Sequence, residues 1–150
     1  MAGFAAEVDS SCDDWDYQRA ADYLLGRLRE LHQRAERVCL ISGGEVTVQV
    51  GAKSGVGGRN QQFALYCAQR TAGEGIVVLS AGTDGIDGNS PAAGAVVDGS
   101  TMERAKVRGF DVATALADFN VYPLLDAIGD TIVTGPTGNN LRDLRILLAY

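Results

Sequence analysis

Residues 75–80 read Gly-Ile-Val-Val-Leu-Ser, a continuous apolar run that begins at a glycine. Such a run is typical of a central strand that is covered on both faces. Helical and extended patterns alternate on either side of it. Some neighbouring strands are predicted to be joined by antiparallel hairpins. The sequence therefore predicts an α/β fold: a single layered domain with a mixed β-sheet flanked by helices.

Near the start of the chain the sequence predicts a long helix. Apolar residues recur at three- and four-residue steps over residues 14–37, which is the spacing of one helix face. Asp13 or Asp14 is the expected N-cap. Residues 1–13 have no such pattern, and we interpret them as a loose lead-in to a domain of residues 14–150.

A β-hairpin is predicted next, because Val38–Ile41 and Glu45–Val50 are extended segments around Gly43-Gly44 and glycines favour the positive φ angles of a tight hairpin turn. Downstream we expect a helix over 60–71, a strand or helix over 92–97, short helices over 101–108, 112–118 and 122–128, and strands over 131–134 and 144–149.

The charge balance excludes two classes of partner. Of the 150 residues, 13 are Lys or Arg and 19 are Asp or Glu, which gives a net charge of −6. Nucleic acid and anionic membranes attract basic surfaces, so neither is an expected partner. We also find no signal peptide and no apolar run long enough to cross a membrane.

The single histidine and the three cysteines narrow the range of possible catalytic and metal sites. His32 is the one histidine, and it lies inside the first predicted helix, so a structural or surface role is expected rather than that of a catalytic base. Cys12, Cys39 and Cys67 are widely spaced, which argues against a zinc site. We interpret them as reduced thiols of a cytoplasmic protein, two of them in the core.

The loop after the central strand is the first candidate site. Residues 82–88 read Gly-Thr-Asp-Gly-Ile-Asp-Gly, and ligands of open α/β sheets bind beyond the carboxyl ends of strands. Asp84 and Asp87 are suited to hold Mg²⁺, or one of them could accept a proton from a hydroxyl group. The alternative is a glycine-rich turn in which Asp makes local hydrogen bonds.

The loop before the second helix is another candidate. Residues 55–61 end in Arg59-Asn60-Gln61, and a guanidinium beside free N–H groups at a helix start favours a carboxylate or phosphate. The alternative is a mobile loop with a solvated Arg59. The spacing is not that of a dinucleotide fingerprint, which disfavours a nicotinamide-dependent reductase. Residues 42–45 and 134–140 also lie at strand ends, and a mixed sheet could gather these loops at one edge.

Five stretches taken in order carry a family resemblance. They are residues 40–48, 57–65, 81–88, 92–98, and 133–138 with Asp143-Leu144-Arg145. Together they resemble the MOFRL domain, the C-terminal domain of class II glycerate 2-kinases, a family also labelled hydroxypyruvate reductase. The resemblance runs from about Val38 to the end of the chain.

The resemblance implies Mg²⁺- and ATP-dependent phosphoryl transfer to the 2-hydroxyl of D-glycerate, in a cleft shared with a larger N-terminal domain. It implies that Arg59 clamps the carboxylate or the transferred phosphate, and that Asp84 orients or deprotonates the hydroxyl or holds Mg²⁺, with Asp87 as a second candidate ligand. The substrate- or nucleotide-binding residues it implies are Gly43, Gly44, Asn60, Gln61, Thr83, Asp87 and Asn140.

The chain departs from the family pattern at Ser90-Pro91, at residues 119–122 and at residues 139–142. The large N-terminal domain has no counterpart in it, so we expect the isolated chain to be inactive. The predicted partners are a small hydroxyacid, a separate chain carrying the N-terminal kinase domain, and a second copy of this chain. The alternative is a non-catalytic module that binds a small anion or associates with itself.

Overall fold

The computed structural model describes residues 3–51 and 54–150, which form one mixed sheet with helices packed against it. In this part of the chain the strands are β1 (Ala5–Val8), β2 (Val38–Gly43), β3 (Ile76–Gly82), β4 (Gly94–Asp98), β5 (Thr131–Ile132) and β6 (Asp143–Ala149). The helices are α1 (Tyr17–His32), α2 (Arg59–Arg70), α3 (Thr101–Val107), α4 (Val112–Ala117) and α5 (Tyr122–Ile128). The predicted α/β class with a mixed sheet is confirmed.

The strand order is β1-β2-β6-β3-β4-β5. β1 runs parallel to β2, and every other neighbouring pair is antiparallel. β6, which follows the other strands in the sequence, therefore lies between β2 and β3. The apolar run of residues 75–80 becomes β3, an interior strand as predicted. The predicted cover on both faces is not found within the described residues, because only one face of β3 is fully buried.

The prediction that the N-terminal segment is a loose lead-in is wrong for residues 3–13. β1 pairs with β2 from Ala5 opposite Val38 to Val8 opposite Ile41, and Cys12 is fully buried. Main-chain hydrogen bonding to the sheet edge orders this short segment even though no apolar periodicity marks it. Residues 1 and 2 lie outside the described residues.

The predicted hairpin is also wrong. β2 has β1 on one side and β6 on the other, so neither edge is free to pair with residues 45–50. Gly44 has a φ of 90° and turns the chain away at the end of β2. The alternating segment instead hydrogen-bonds through Glu45 and Thr47 to the backbone of residues 14–17, and Thr47 forms an isolated bridge with Asp16.

The predicted helices form, with shifted ends. α1 begins at Tyr17 because Asp16 is its N-cap and accepts hydrogen bonds from the N–H groups of Gln18 and Arg19, at 3.0 and 3.3 Å. Asp13, one of the two expected caps, instead accepts from the Glu45 N–H. The segment 92–97, left open between strand and helix, contributes most of β4.

The helices of the described chain cover one face of the sheet. α1 contacts β2 and β6, α2 contacts β3 and β4, and the remaining helices contact α2. The core lies between these layers, and it includes Cys12 and Cys67, as expected for two of the three thiols. Among the described residues no helix has both the length and the apolar character needed to cross a membrane.

Candidate functional site

A cleft of about 390 Å³ opens where the loops at the strand ends meet the start of α2. Arg59 comes from the first turn of α2, and Asp84 from the loop after β3. Val48, Val50, Ile86 and Phe119 supply apolar walls. The structure thus brings together the two residues that the sequence singled out for catalysis.

Arg59 is held at the cleft by two acidic partners. Its Nε donates to Oδ2 of Asp143 at 2.7 Å, and its Nη2 donates to Oδ1 of Asp143 at 3.1 Å. Nη2 also lies 2.9 Å from Glu45 Oε1. The hydrogen bonds to Asp143 raise the pKa of Arg59, so the guanidinium stays charged. Its side chain is 34% exposed, and Nη1 makes no hydrogen bond to a described residue.

Asp87 fastens the loop after β3 to the start of α2. Oδ1 accepts from the backbone N and Nδ2 of Asn60, at 3.0 and 3.2 Å, and Oδ2 accepts from the backbone N and Nε2 of Gln61, both at 2.9 Å. The residue is 2% exposed, and burial raises the pKa of its carboxyl group against the effect of these donors. Asp87 therefore satisfies N–H groups that a helix start leaves without partners.

Asp84 is the carboxylate of this loop that faces the cleft. It is half-buried, and Oδ1 accepts from the Ile86 N–H at 3.0 Å. Its main-chain carbonyl accepts from the Thr137 N–H at 3.0 Å, which ties the loop to residues 134–140. One carboxylate oxygen is thus held by a local hydrogen bond, the backbone of the loop is anchored, and the side chain remains partly open to solvent.

Arg145 lies buried beside Asp143 and was not predicted as a site residue. Its side chain is fully buried, and burial lowers the pKa of the guanidinium. Nη2 lies 3.6 Å from Asp143 Oδ2, so Asp143 lies between Arg59 and Arg145. Arg145 Nε and the hydroxyl of Ser42, its neighbour on β2, have no partner among the described residues.

The sequence alone does not mark Asp143 and Arg145 as buried, because they alternate with Leu144, Ile146 and Leu148 as residues of a solvent face do. In the structure Asp143, Arg145, Leu147 and Ala149 are the buried residues of β6, so they share the face that the helices cover. Two charged residues on a buried face must be paired or hydrogen-bonded. Their partner Arg59 is 84 positions away from Asp143 in the chain, so no local pattern identifies it.

The other predicted binding residues are placed as supports rather than on open cleft walls. The amide groups of Asn60 and Gln61 are buried against Asp87. The carbonyls of Gly43 and Gly44 accept from Arg145, at 3.5 and 3.2 Å.

Thr83 and Asn140 shape the neighbouring loop. The Thr83 hydroxyl donates to the Arg142 carbonyl at 2.8 Å and accepts from the Leu141 N–H at 2.7 Å. Exposed Asn140 accepts from the Arg142 N–H at 3.1 Å. Their predicted contacts with substrate or nucleotide stay predictions.

Whether the site can hold a divalent cation depends on the carboxylates of Asp84 and Asp87. No cluster of three or more His, Cys, Asp or Glu residues with ligand geometry occurs in residues 3–51 and 54–150. Both oxygens of Asp87 are taken up by N–H donors, whereas Asp84 has an oxygen to offer. Mg²⁺ commonly binds through one or two carboxylates and completes its shell with water and phosphate oxygens, so Asp84 fits such an ion and Asp87 does not.

Comparisons with known proteins agree on one family. The MOFRL family model matches residues 38–143. Over 149 residues the chain is 39% identical to D-glycerate 2-kinase of Thermotoga maritima, covering 96% of this chain and 36% of that protein. It is 32% identical to glycerate 2-kinase of Pyrococcus horikoshii, covering 97% and 34%.

The solved structure of the Thermotoga maritima glycerate kinase superposes with a TM-score of 0.91 at 38% identity, over 99% of this chain and 37% of that one. The present chain thus spans about a third of the length of these relatives.

Proposed function

Because the chain belongs to the MOFRL family, we propose that it is a glycerate 2-kinase-like module that takes part in ATP- and Mg²⁺-dependent phosphoryl transfer to the 2-hydroxyl of D-glycerate. The observation that carries the proposal is that Arg59 and Asp84 open onto the same cleft. Similarity to glycerate 2-kinases over nearly the whole chain supports it.

Arg59 is proposed to bind the anionic group of the substrate. Phosphoryl transfer depends mainly on positioning and on neutralising charge at the transferred group. Asp143 fixes the Nε side of the guanidinium, which leaves the Nη1 side for a carboxylate or phosphate. Glu45 is a half-buried partner, and an incoming anion would compete with it.

Asp84 is proposed to act on the hydroxyl that is phosphorylated. The 2-hydroxyl oxygen forms a bond to the γ-phosphorus, the bond from that phosphorus to the β–γ bridging oxygen breaks, ADP leaves, and the hydroxyl proton passes to the Asp84 carboxylate. Mg²⁺ supplies charge neutralisation on the phosphates when it is bound. In the alternative role, Asp84 would hold the ion instead of accepting the proton, and it is the carboxylate of the loop suited to do so, since Asp87 is engaged by α2.

The cleft is open, and the relatives are about three times as long as this chain. We therefore propose that a further domain completes the site. The purified chain alone is expected to show no D-glycerate phosphorylation above the level of Asp84→Asn in an assay of ADP release. Turnover that Asp84→Asn abolishes would contradict the proposed need for another domain.

The test of the binding role is isothermal titration of the chain with Mg-ATP and, separately, with D-glycerate. We expect Arg59→Ala to weaken binding of at least one ligand by about 10- to 100-fold, since a charge-assisted hydrogen bond contributes about 1.5–3 kcal/mol. Arg108→Ala removes a positive charge from an exposed position at the end of α3 and is expected to leave binding unchanged.

Two further arms make this test specific. If Asp84 holds the cation, Asp84→Asn weakens Mg-ATP and leaves metal-free ATP unaffected. Equal binding of both ligands by the wild type and a folded Arg59→Ala variant would contradict the proposed role of Arg59. Circular dichroism and thermal unfolding check that each variant is folded.

A further inference from the structure

The face of the sheet turned away from the helices is apolar over most of its extent. Strand pairing aligns its side chains in three rows across the strands. The first row is Ala6, Cys39, Leu148, Val77 and Asp98; the second is Val8, Ile41, Ile146, Leu79 and Val96; the third is Gly43, Leu144, Ala81, Gly94 and Ile132. We call these rows the bare face. Among these positions Asp98, at one margin, is the only charged residue.

No helix of the described chain covers the bare face, since all of them pack, directly or through α2, on the opposite side. Leu144 and Val96 are each 37% exposed, and Val8 is 71% exposed. The central residues Ile41, Ile146 and Leu79 are only half-buried, although an isoleucine or leucine inside a two-layer core would be fully buried.

The strand sequences fit a sheet that is covered on both faces. Antiparallel sheets with one face in water alternate apolar and polar residues, whereas strands buried on both faces are apolar throughout. β3 reads Ile-Val-Val-Leu-Ser-Ala-Gly, and Leu144, Ile146 and Leu148 of β6 all belong to the bare face. The sequence of the sheet thus calls for a second layer that the described chain does not supply.

We infer that the bare face is a docking surface for a second copy of this chain. At about 4.8 Å between strands and about 3.3 Å per residue, it measures on the order of 500 Å² in projection. This size is that of the largest apolar patch on a typical soluble monomer, and such patches often have a functional role. Two such faces in contact bury about 1,000 Å², which reaches the lower range of specific interfaces.

The chemistry of the face suits self-association. A two-fold dimer places the same patch on both partners, and a patch nearly free of charge meets its copy without like-charge repulsion. Two sheets pack face to face at about 10 Å, with their strands within about 30° of each other. In this arrangement Ile146, near the middle of the second row, becomes a core residue of the interface.

The position of the candidate site argues for a second copy rather than for a completing kinase domain. None of the residues that line the cleft belongs to the bare face. Arg59 and Asp143 lie on the helix-covered side, so a domain that completes the cleft would approach from the strand ends. The inference rests on the sheet alone and does not depend on the proposed function.

The test is sedimentation velocity of the purified chain from about 1 µM to about 1 mM. We expect a concentration-dependent dimer in the wild type, and Ile146→Glu should raise its dissociation constant by at least about 100-fold because each copy would bury an unpaired carboxylate. Val107→Glu is the matched control: Val107 is 79% exposed on α3, outside the bare face, and this variant should dimerise as the wild type does.

Thiol alkylation gives a second measurement that requires no variant. Cys39 lies on the bare face, whereas Cys12 and Cys67 are fully buried and serve as internal controls. We expect the alkylation rate of Cys39 to fall as the protein concentration rises into the dimer range, while the two controls stay unreactive. A strict monomer throughout, or a dimer in which Cys39 reacts at a constant rate and Ile146→Glu has no effect, would overturn the inference.

Discussion

Asp87→Asn is expected to lower the free energy of unfolding by about 3–5 kcal/mol, one of the two largest stability losses we predict. The carboxylate accepts four hydrogen bonds at the start of α2, from both the backbone and the side chains of Asn60 and Gln61. An asparagine has one acceptor oxygen. Its amide NH₂ group would point at the N–H donors of one of these residues, leaving them buried without an acceptor.

Urea denaturation followed by circular dichroism measures this loss. Asp84→Asn is the matched control, because it makes the same chemical change three residues earlier in the same loop. Asp84 is half-buried and accepts one local backbone hydrogen bond, so its replacement should cost less than about 1 kcal/mol. Equal losses for the two variants would mean that Asp87 does not fasten the loop to α2.

Asp143→Asn is the second substitution with a large expected effect, again about 3–5 kcal/mol. Asp143 is the carboxylate between Arg59 and Arg145. The Arg145 side chain is fully buried and has no other acidic partner among the ion pairs of the described residues. Neutralising Asp143 would leave that guanidinium buried without a countercharge, and breaking a buried ion pair from one side is strongly destabilising.

Arg145→Met provides the contrasting variant for the same measurement. It removes the buried cation, while Asp143 keeps its two hydrogen bonds from Arg59. Removing one partner of a buried ion pair is costly when it leaves the other charge unpaired, but here Asp143 keeps Arg59 as its countercharge. We therefore expect a change within about 1 kcal/mol. A loss for Arg145→Met as large as that for Asp143→Asn would show that the Arg145 bonds to the glycine carbonyls, and not its desolvation, dominate.

The local patterns predicted the elements better than their pairing. The apolar run at 75–80 predicted an interior strand and the helical spacing of residues 60–71 predicted a helix, and both elements are confirmed, although the described chain covers only one face of that strand. The Gly43-Gly44 pair predicted a hairpin that does not form, because β6 already occupies the edge of β2 that a hairpin partner would need. A turn signal spans a few residues and carries no information about a strand a hundred positions away.

The candidate site was predictable only where its residues belong to loops with a local sequence pattern. Arg59 and Asp84 were singled out by their loops, and the fold places both at one cleft, although their roles stay predictions. Asp143 and Arg145 were overlooked because their pairing depends on the register of β6 with β2 and β3. Asn60 and Gln61 appeared to be free polar groups, and only the fold shows that Asp87 engages them.

The placement of β6 has a consequence for how the domain is made. β1 and β2 form one part of the sheet, β3, β4 and β5 form the other, and β6 is the strand that joins them. A ribosome synthesises β6 after all of these strands, so the sheet cannot close while the chain is still emerging in sequence order. Until then, the facing edges of β2 and β3 have unpaired main-chain groups, and such edges favour aggregation. The nascent domain is therefore most exposed to chaperones, and to pairing with a neighbouring nascent chain, in the interval just before residues 143–149 leave the exit tunnel.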